Sequence, residues 1–349
     1  MSGRLLRLVC AAATAGAVLA PVPAAAVPEP GERSVSRLLT DLQRLYREAE
    51  RATETYNATE EKLKVQRGES GRLDRELARV RLSLHHSRGA AGRLARQQYQ
   101  SSTEISGYVR LLLARDPQRA LEQGHVIGQL ARERAETVGR LTGSERRAGE
   151  LARKARAALD KELTLAERQR EDRDEVKARL ADVEGMLASL STEQLAGIAE
   201  LEKRDISRAQ QDLVTSGALG SAQREASEAG ERAVEYALRQ LGKPYEWGAE
   251  GPETYDCSGL TSMAWNHAGT PLPRTSQEQW ARLPRVPLTE LRPGDLVVYH
   301  DDATHVALYL GEGEVVEAPR TGERVTISPI ASHPILGAVR PDGPQGEAP

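Results

Sequence analysis

Two regimes of hydrophobic spacing divide the chain. In the first, Leu38, Leu42, Leu45, Ala49, Ala52, Tyr56, Thr59 and Leu63 follow one another in alternating steps of four and three, as do Val176, Leu180, Val183, Leu187 and Leu190. Such spacing places these side chains on one stripe of a helix, the seam of a coiled coil. From Val35 to about Val214 the chain is rich in Ala, Arg, Glu, Leu and Gln and holds a single proline, Pro117, which is long-helix composition. Two separated heptad stretches predict an antiparallel helical hairpin over residues 35–215. Between them Ile105 to Leu113 is strongly apolar and is followed by Arg115-Asp116-Pro117-Gln118. A short helical cap at the far end of the hairpin accounts for it; a docking surface for a partner is the alternative. The many charges of this region are expected to face solvent.

The second regime begins after a small, polar linker, residues 216–229. In residues 230–349 proline and glycine recur every few positions, apolar runs are short, and tyrosine and tryptophan are concentrated, the pattern of one compact α+β domain. Helices are expected over Glu231 to Leu241, from Cys257 through Leu260, Met263, Ala264 and Trp265, and after a cap at Thr275 or Ser276. Pro293-Gly294 turns the chain into a strand ending at Tyr299. His305 to Leu310 and Glu314 to Ala318, joined by Gly311-Glu312-Gly313, form a hairpin. Arg324 to Ile327 and Ile335 to Val339 complete a small antiparallel sheet with helices on one side.

Composition adds compartment and exclusions. Arg4 and Arg7, the apolar run Leu8 to Val22 and Ala24-Ala25-Ala26 make residues 1–26 a secretory signal, with a mature start near Val27. The run is interrupted by Pro21 and short for a membrane span. The expected product is a soluble protein secreted to the cell wall or beyond. Once the signal is removed, Cys257 is the sole cysteine, a thiol without a disulfide partner and so a candidate working group. The 48 basic and 51 acidic residues nearly balance, and the lack of a basic block with stacking aromatics excludes nucleic acid. No sequence pattern for calcium, nucleotide or zinc binding is present, and no metal or cofactor is expected.

The first turn of a helix suits a nucleophilic cysteine, because unpaired amides and the helix dipole favour thiolate. His305 and Glu317 lie twelve residues apart. A turn centred on Gly311 sets them opposite each other; one centred on Glu312 makes them diagonal neighbours on one face. Cysteine, histidine and orienting carboxylate form the nucleophile, base and orienter set of covalent hydrolases. His267, His300 and His333 compete for the base role, but only His305 opens a strongly patterned strand with a carboxylate in phase. His85 and His86 are expected at the surface, and Trp247, Trp265 and Trp280 in the core.

Pro244-Tyr245-Glu246-Trp247-Gly248, Asp256-Cys257-Ser258-Gly259-Leu260, Leu272-Pro273-Arg274-Thr275-Ser276, Leu291-Arg292-Pro293-Gly294-Asp295-Leu296 and His305-Val306-Ala307-Leu308-Tyr309-Leu310-Gly311 resemble the successive motifs of the NlpC/P60 cysteine peptidases. The resemblance covers about residues 229 to 340. It implies a papain-like fold and hydrolysis of peptidoglycan stem peptides, typically between D-glutamate and the diamino acid. It casts Cys257 as nucleophile, His305 as general base and Glu317 as the third polar residue, where many members carry histidine. It also suggests Tyr245, Asp256 and Ser258 as substrate-binding residues, with a helix cap as the alternative role for Asp256. The N-terminal helices resemble those of exported wall hydrolases in which a coiled coil restrains the catalytic domain and docks on a membrane transporter complex. Two other readings stand beside this one: a wall amidase of the same superfamily, and an inactive scaffold or activator of wall hydrolases.

Overall fold

The computed structural model describes residues 34–101, 109, 117–220 and 224–343. The secretory signal and, apart from Val109, the apolar stretch at the hairpin tip lie outside the described residues.

Helix α1 (Val35–Ser101) and helix α2 (Pro117–Ala188) form the hairpin. Their contacts run in opposite senses: Glu48 meets Arg179, Thr59 donates to Asp172 at 2.6 Å, Gln66 reaches the Ala158 carbonyl and Ser87 meets Ser144. The expected seam is buried at Leu38, Leu42, Ala49, Ala52, Thr59, Leu63, Val176 and Val183. The helix then breaks at Ser189 to Ser191. Ser191 and Gln194 make a reciprocal capping box, which satisfies two amides at the start of helix α3 (Thr192–Thr215). Helix α3 folds back on the base of α1, and Ile198 joins Leu38, Leu39, Leu42 and Val183 in one cluster. Among the described residues no helix is long and apolar enough to cross a membrane.

The C-terminal domain is α+β. Its first helix, α4 (Glu228–Leu238), begins three residues before the expected Glu231, inside the stretch read as linker. The reason is Ser227, whose hydroxyl accepts from the Gly230 amide and donates to Asp342. An N-cap of this kind contributes about 1 kcal/mol, so Ser227→Ala is expected to lower stability by about that amount in thermal unfolding followed by circular dichroism. Helices α5 (Cys257–His267) and α6 (Ser276–Arg282) follow, the latter capped by Thr275.

The sheet is antiparallel with strand order β1-β6-β2-β3-β4-β5. These strands are β1 (Arg285–Val286), β2 (Leu296–Tyr299), β3 (His305–Gly311), β4 (Glu314–Glu317), β5 (Thr326–Pro329) and β6 (Ile335–Val339). Strand β1 is absent from the sequence reading, and β5 starts two residues later than expected. One sheet face packs on α4 and α5 through Val298, Val306, Leu308 and Val316, with Leu260, Ala264 and Trp265. The other buries Val297, Tyr299, Ala307, Tyr309 and Val315, partly beneath Leu213 of α3. The helical region therefore grips the domain on two sides.

Candidate active site

Asp256 is the N-cap of α5. Its Oδ1 accepts from the Gly259 amide at 2.7 Å, and this bond places Cys257 at the first helical position. Gly259 fits a tight contact with strand and loop, since a Cβ there would lie 2.1 Å from the Ala249 carbonyl oxygen. Packing of α5 against β3 brings the thiol to the start of that strand, where it receives a backbone hydrogen bond from Val306.

His305 and Glu317 meet as the hairpin register predicts for a turn centred on Glu312. The pairs Leu308 with Val316 and Tyr309 with Val315 make them diagonal neighbours, and positive φ at Gly311, Glu312 and Gly313 closes the turn. His305 Nε2 lies 2.7 Å from Glu317 Oε2, and both side chains are buried. The other ring nitrogen, Nδ1, is buried and has no hydrogen-bond partner. Despite its burial, the Glu317 carboxyl is held well below the usual carboxylate range by hydrogen bonds from His305 and His333 and by the charge of both rings.

His333, one of the competitors for the base role, follows a short 3-10 turn, and its Nε2 lies 3.5 Å from the same Glu317 oxygen. His300 lies beside it, with ring centroids 5.6 Å apart. His267 is elsewhere, against Tyr236. Only the fold could bring His300 and His333 together beside His305, since the two fall in different irregular segments.

The pocket residues converge as well. Tyr245 is buried beside Cys257; burial first, then the proximity of Cys257, Asp256, Glu50 and Glu54, pushes its phenol well up. Arg274 donates to both Asp256 oxygens, at 3.1 and 2.7 Å, and to the Ser258 hydroxyl at 2.9 Å. With the Gly248 and Gly259 amides and Asn57 also donating to it, Asp256 is both cap and hub. Of the tryptophans, Trp265 is core, while Trp247 stands edge-on to Tyr56 of α1 at 5.1 Å and Trp280 receives the Arg285 guanidinium on its face.

Two sequence expectations change here. The charges of α1 do not all face solvent: Glu50 and Glu54, with the polar Asn57, are buried against the C-terminal domain. Glu54 enters the cleft itself. Its Oε1 accepts from the Ser258 hydroxyl at 2.8 Å, its Oε2 from the Ser276 amide at 2.8 Å, and Cys257 Sγ is 4.0 Å away. Asn57 donates to Asp256 at 3.0 Å, and Arg51 pairs with Asp302. Second, the thiol is not poised as thiolate in this covered arrangement. Burial pushes Cys257 well up, and the negative charges of Glu54, Asp256 and Glu50 add to it, overcoming the Val306 amide. Two of those three carboxylates come from α1.

A small antiparallel sheet packed on helices, with a cysteine opening one helix and a histidine–carboxylate pair on the adjoining strands, defines a papain-like α+β domain. Residues 242–337 match the NlpC/P60 family, and the chain carries an NlpC/P60 domain in its C-terminal part. A Corynebacterium glutamicum protein named as a probable endopeptidase is 40% identical over 115 residues, 33% of this chain and 55% of that protein. Probable endopeptidase p60 of Listeria seeligeri is 44% identical over 88 residues, 25% of this chain and 17% of that protein. The solved structure of NlpC1 from Trichomonas vaginalis is 30% identical, covering 34% of this chain and 46% of that one, with a TM-score of 0.32. The chain thus spans about half or less of the curated relatives it matches.

Proposed function

We propose that the protein is an exported cysteine-type peptidase of peptidoglycan stem peptides, held at rest by its helical hairpin. The observation that carries the reading is the buried His305–Glu317 pair, 2.7 Å apart with Nδ1 unbonded, on the strand whose next amide reaches Cys257. In this scheme His305 takes the thiol proton and Cys257 Sγ attacks the scissile carbonyl, while amides at the start of α5 stabilise the oxyanion. His305 then protonates the departing amine. Water, with its proton taken by His305, releases the acyl group and restores the thiol.

Substrate polarity has support in the cleft. The Ser258 hydroxyl and Ser276 amide, beside Arg274, hold the Glu54 carboxylate. The same donors suit the free carboxylate of a D-γ-glutamyl residue, which supports a cut between that residue and the diamino acid. Glu54 then acts as an internal stand-in for substrate. A membrane transporter complex is the proposed partner that draws the hairpin away. Glu317 would fix the tautomer and orientation of His305, so Glu317→Ala is expected to lower kcat by about 10²- to 10⁴-fold with little change in KM, as measured by steady-state kinetics on a stem tetrapeptide.

The reading is tested by mass spectrometry of soluble fragments released from purified peptidoglycan. Residues 224–349, which keep the Ser227 cap and a core of their own, would be compared with the whole chain. Fragments ending in D-glutamate support the reading, and lactyl-bond cleavage would replace it with an amidase. No release from walls of several sources would favour a binding or scaffolding role.

A further inference from the structure

Around His305 and Glu317 lie side chains that the peptidase reaction does not need, His333 and Glu50 among them. One ring nitrogen each of His305 and His333 and a Glu317 carboxylate oxygen all lie within 4.8 Å of one another. Two of the separations, 2.7 and 3.5 Å, already bracket the roughly 3.3 Å that neighbouring ligands keep around a tetrahedral zinc ion with bonds of about 2.0–2.1 Å. Close to them on α1 is Glu50, near enough for both rings to act on its carboxylate. It is buried, its Oε2 has no hydrogen-bond partner, and His300 Nε2 lies 3.9 Å from that oxygen. An unpaired buried carboxylate is costly, and this one is shared between two domains.

We propose that His305, Glu317 and His333, with Glu50 completing the set, form a site for a divalent transition-metal ion of the zinc class that locks the hairpin on the cleft.

The donor chemistry fits: imidazole with carboxylate is a common zinc set, and the thiol is not required. The charges fit as well, since two carboxylates and a dication sum to zero. Access is provided by a cavity of about 670 Å³ that reaches Glu50, His300 and His333, with Asp205, Asp212, Arg47 and the Arg320–Glu202 ion pair on its walls.

The bound ion would take the His305 nitrogen that now meets Glu317 and so remove the orienting hydrogen bond from the catalytic pair. Because Glu50 belongs to α1, the same ion would tie the hairpin to the domain. That inhibitory consequence rests on the peptidase reading; ion binding itself does not.

The test is zinc chloride titrated into the chelator-treated whole chain, followed by calorimetry and thermal unfolding. One ion per chain is expected, with a rise in Tm. His333→Gln and Glu50→Gln should each weaken binding about 10- to 100-fold, and Cys257→Ala should bind like the native chain. Cobalt(II) in place of zinc should give visible d–d bands without a thiolate charge-transfer band, a readout that needs no variant. Binding no tighter than millimolar, binding unmoved by His333→Gln, or binding lost in Cys257→Ala with a thiolate band would each overturn the proposal, whatever the outcome with peptidoglycan.

Discussion

Cys257→Ala is expected to abolish stem-peptide cleavage, a loss of about 10⁴-fold or more, while the protein stays folded. When the nucleophile of a covalent hydrolase is removed, the remaining groups cannot compensate, and the loss approaches that of removing the whole set. Stability should barely follow. The α5 cap belongs to Asp256, the Gly259 amide keeps its partner, and alanine is a good helix former. Only one sulfur leaves a site that is 3% exposed, a cavity worth about 1 kcal/mol. Turnover of a stem tetrapeptide and a circular-dichroism melt on the same preparation check both halves. Cleavage that persisted in the variant would remove Cys257 from the mechanism.

Glu54→Ala is expected to act in the opposite direction and raise turnover by the whole chain at least tenfold at neutral pH. The substitution removes the carboxylate that fills the donor site at Ser258 and Ser276, and with it the strongest neighbouring charge opposing thiolate at Cys257. A tenfold gain needs a shift of only about 1.4 kcal/mol in the equilibrium between covered and open cleft. The docked hairpin loses two hydrogen bonds to a carboxylate, each worth about 1.5–3 kcal/mol, offset by relief of the cost of burying it.

The pH dependence has a defined sign. Burial, then Asp256, push Glu54 up to about 7 in the covered state, against the pull of Ser258, Arg274 and Ser276. A released Glu54 would titrate near 4.5. The covered state therefore takes up a proton between these values. Docking is strongest below about pH 4.5 and weakens as pH rises through 7, by about 3 kcal/mol over the span. Glu54→Gln should remove that dependence. Trp247 fluorescence, which reports its contact with Tyr56, measured against pH in both chains would show it, and identical profiles would sink the argument.

Much of this site was legible because its information is local. Asp256 caps three residues ahead, Cys257 follows it, and His305 and Glu317 are set in phase by the glycines of one turn. The hairpin pairing was legible for a similar reason, since a heptad seam records the face that meets another helix. What the seam cannot record is a second buried face. Glu50, Glu54 and Asn57 share one side of α1 at helical spacing, yet nothing in a run of charged helical residues distinguishes a solvated side from one that enters a cleft 204 positions away. The approach of His333 to Glu317 was hidden for the related reason that its loop carries no periodicity and its partner is supplied by the sheet.

The unbroken course of α1 has a mechanical consequence. Its cleft contacts lie between Glu50 and Asn57, while the helix runs on to Ser101 without a proline, about 65 Å farther at 1.5 Å per residue. The hairpin is therefore a lever with its latch close to one end. A modest sideways force at the distal end exerts a large torque on the few bonds that seat Glu54, so a protein pulling from beyond molecular reach of the cleft could prise it open without ever touching it.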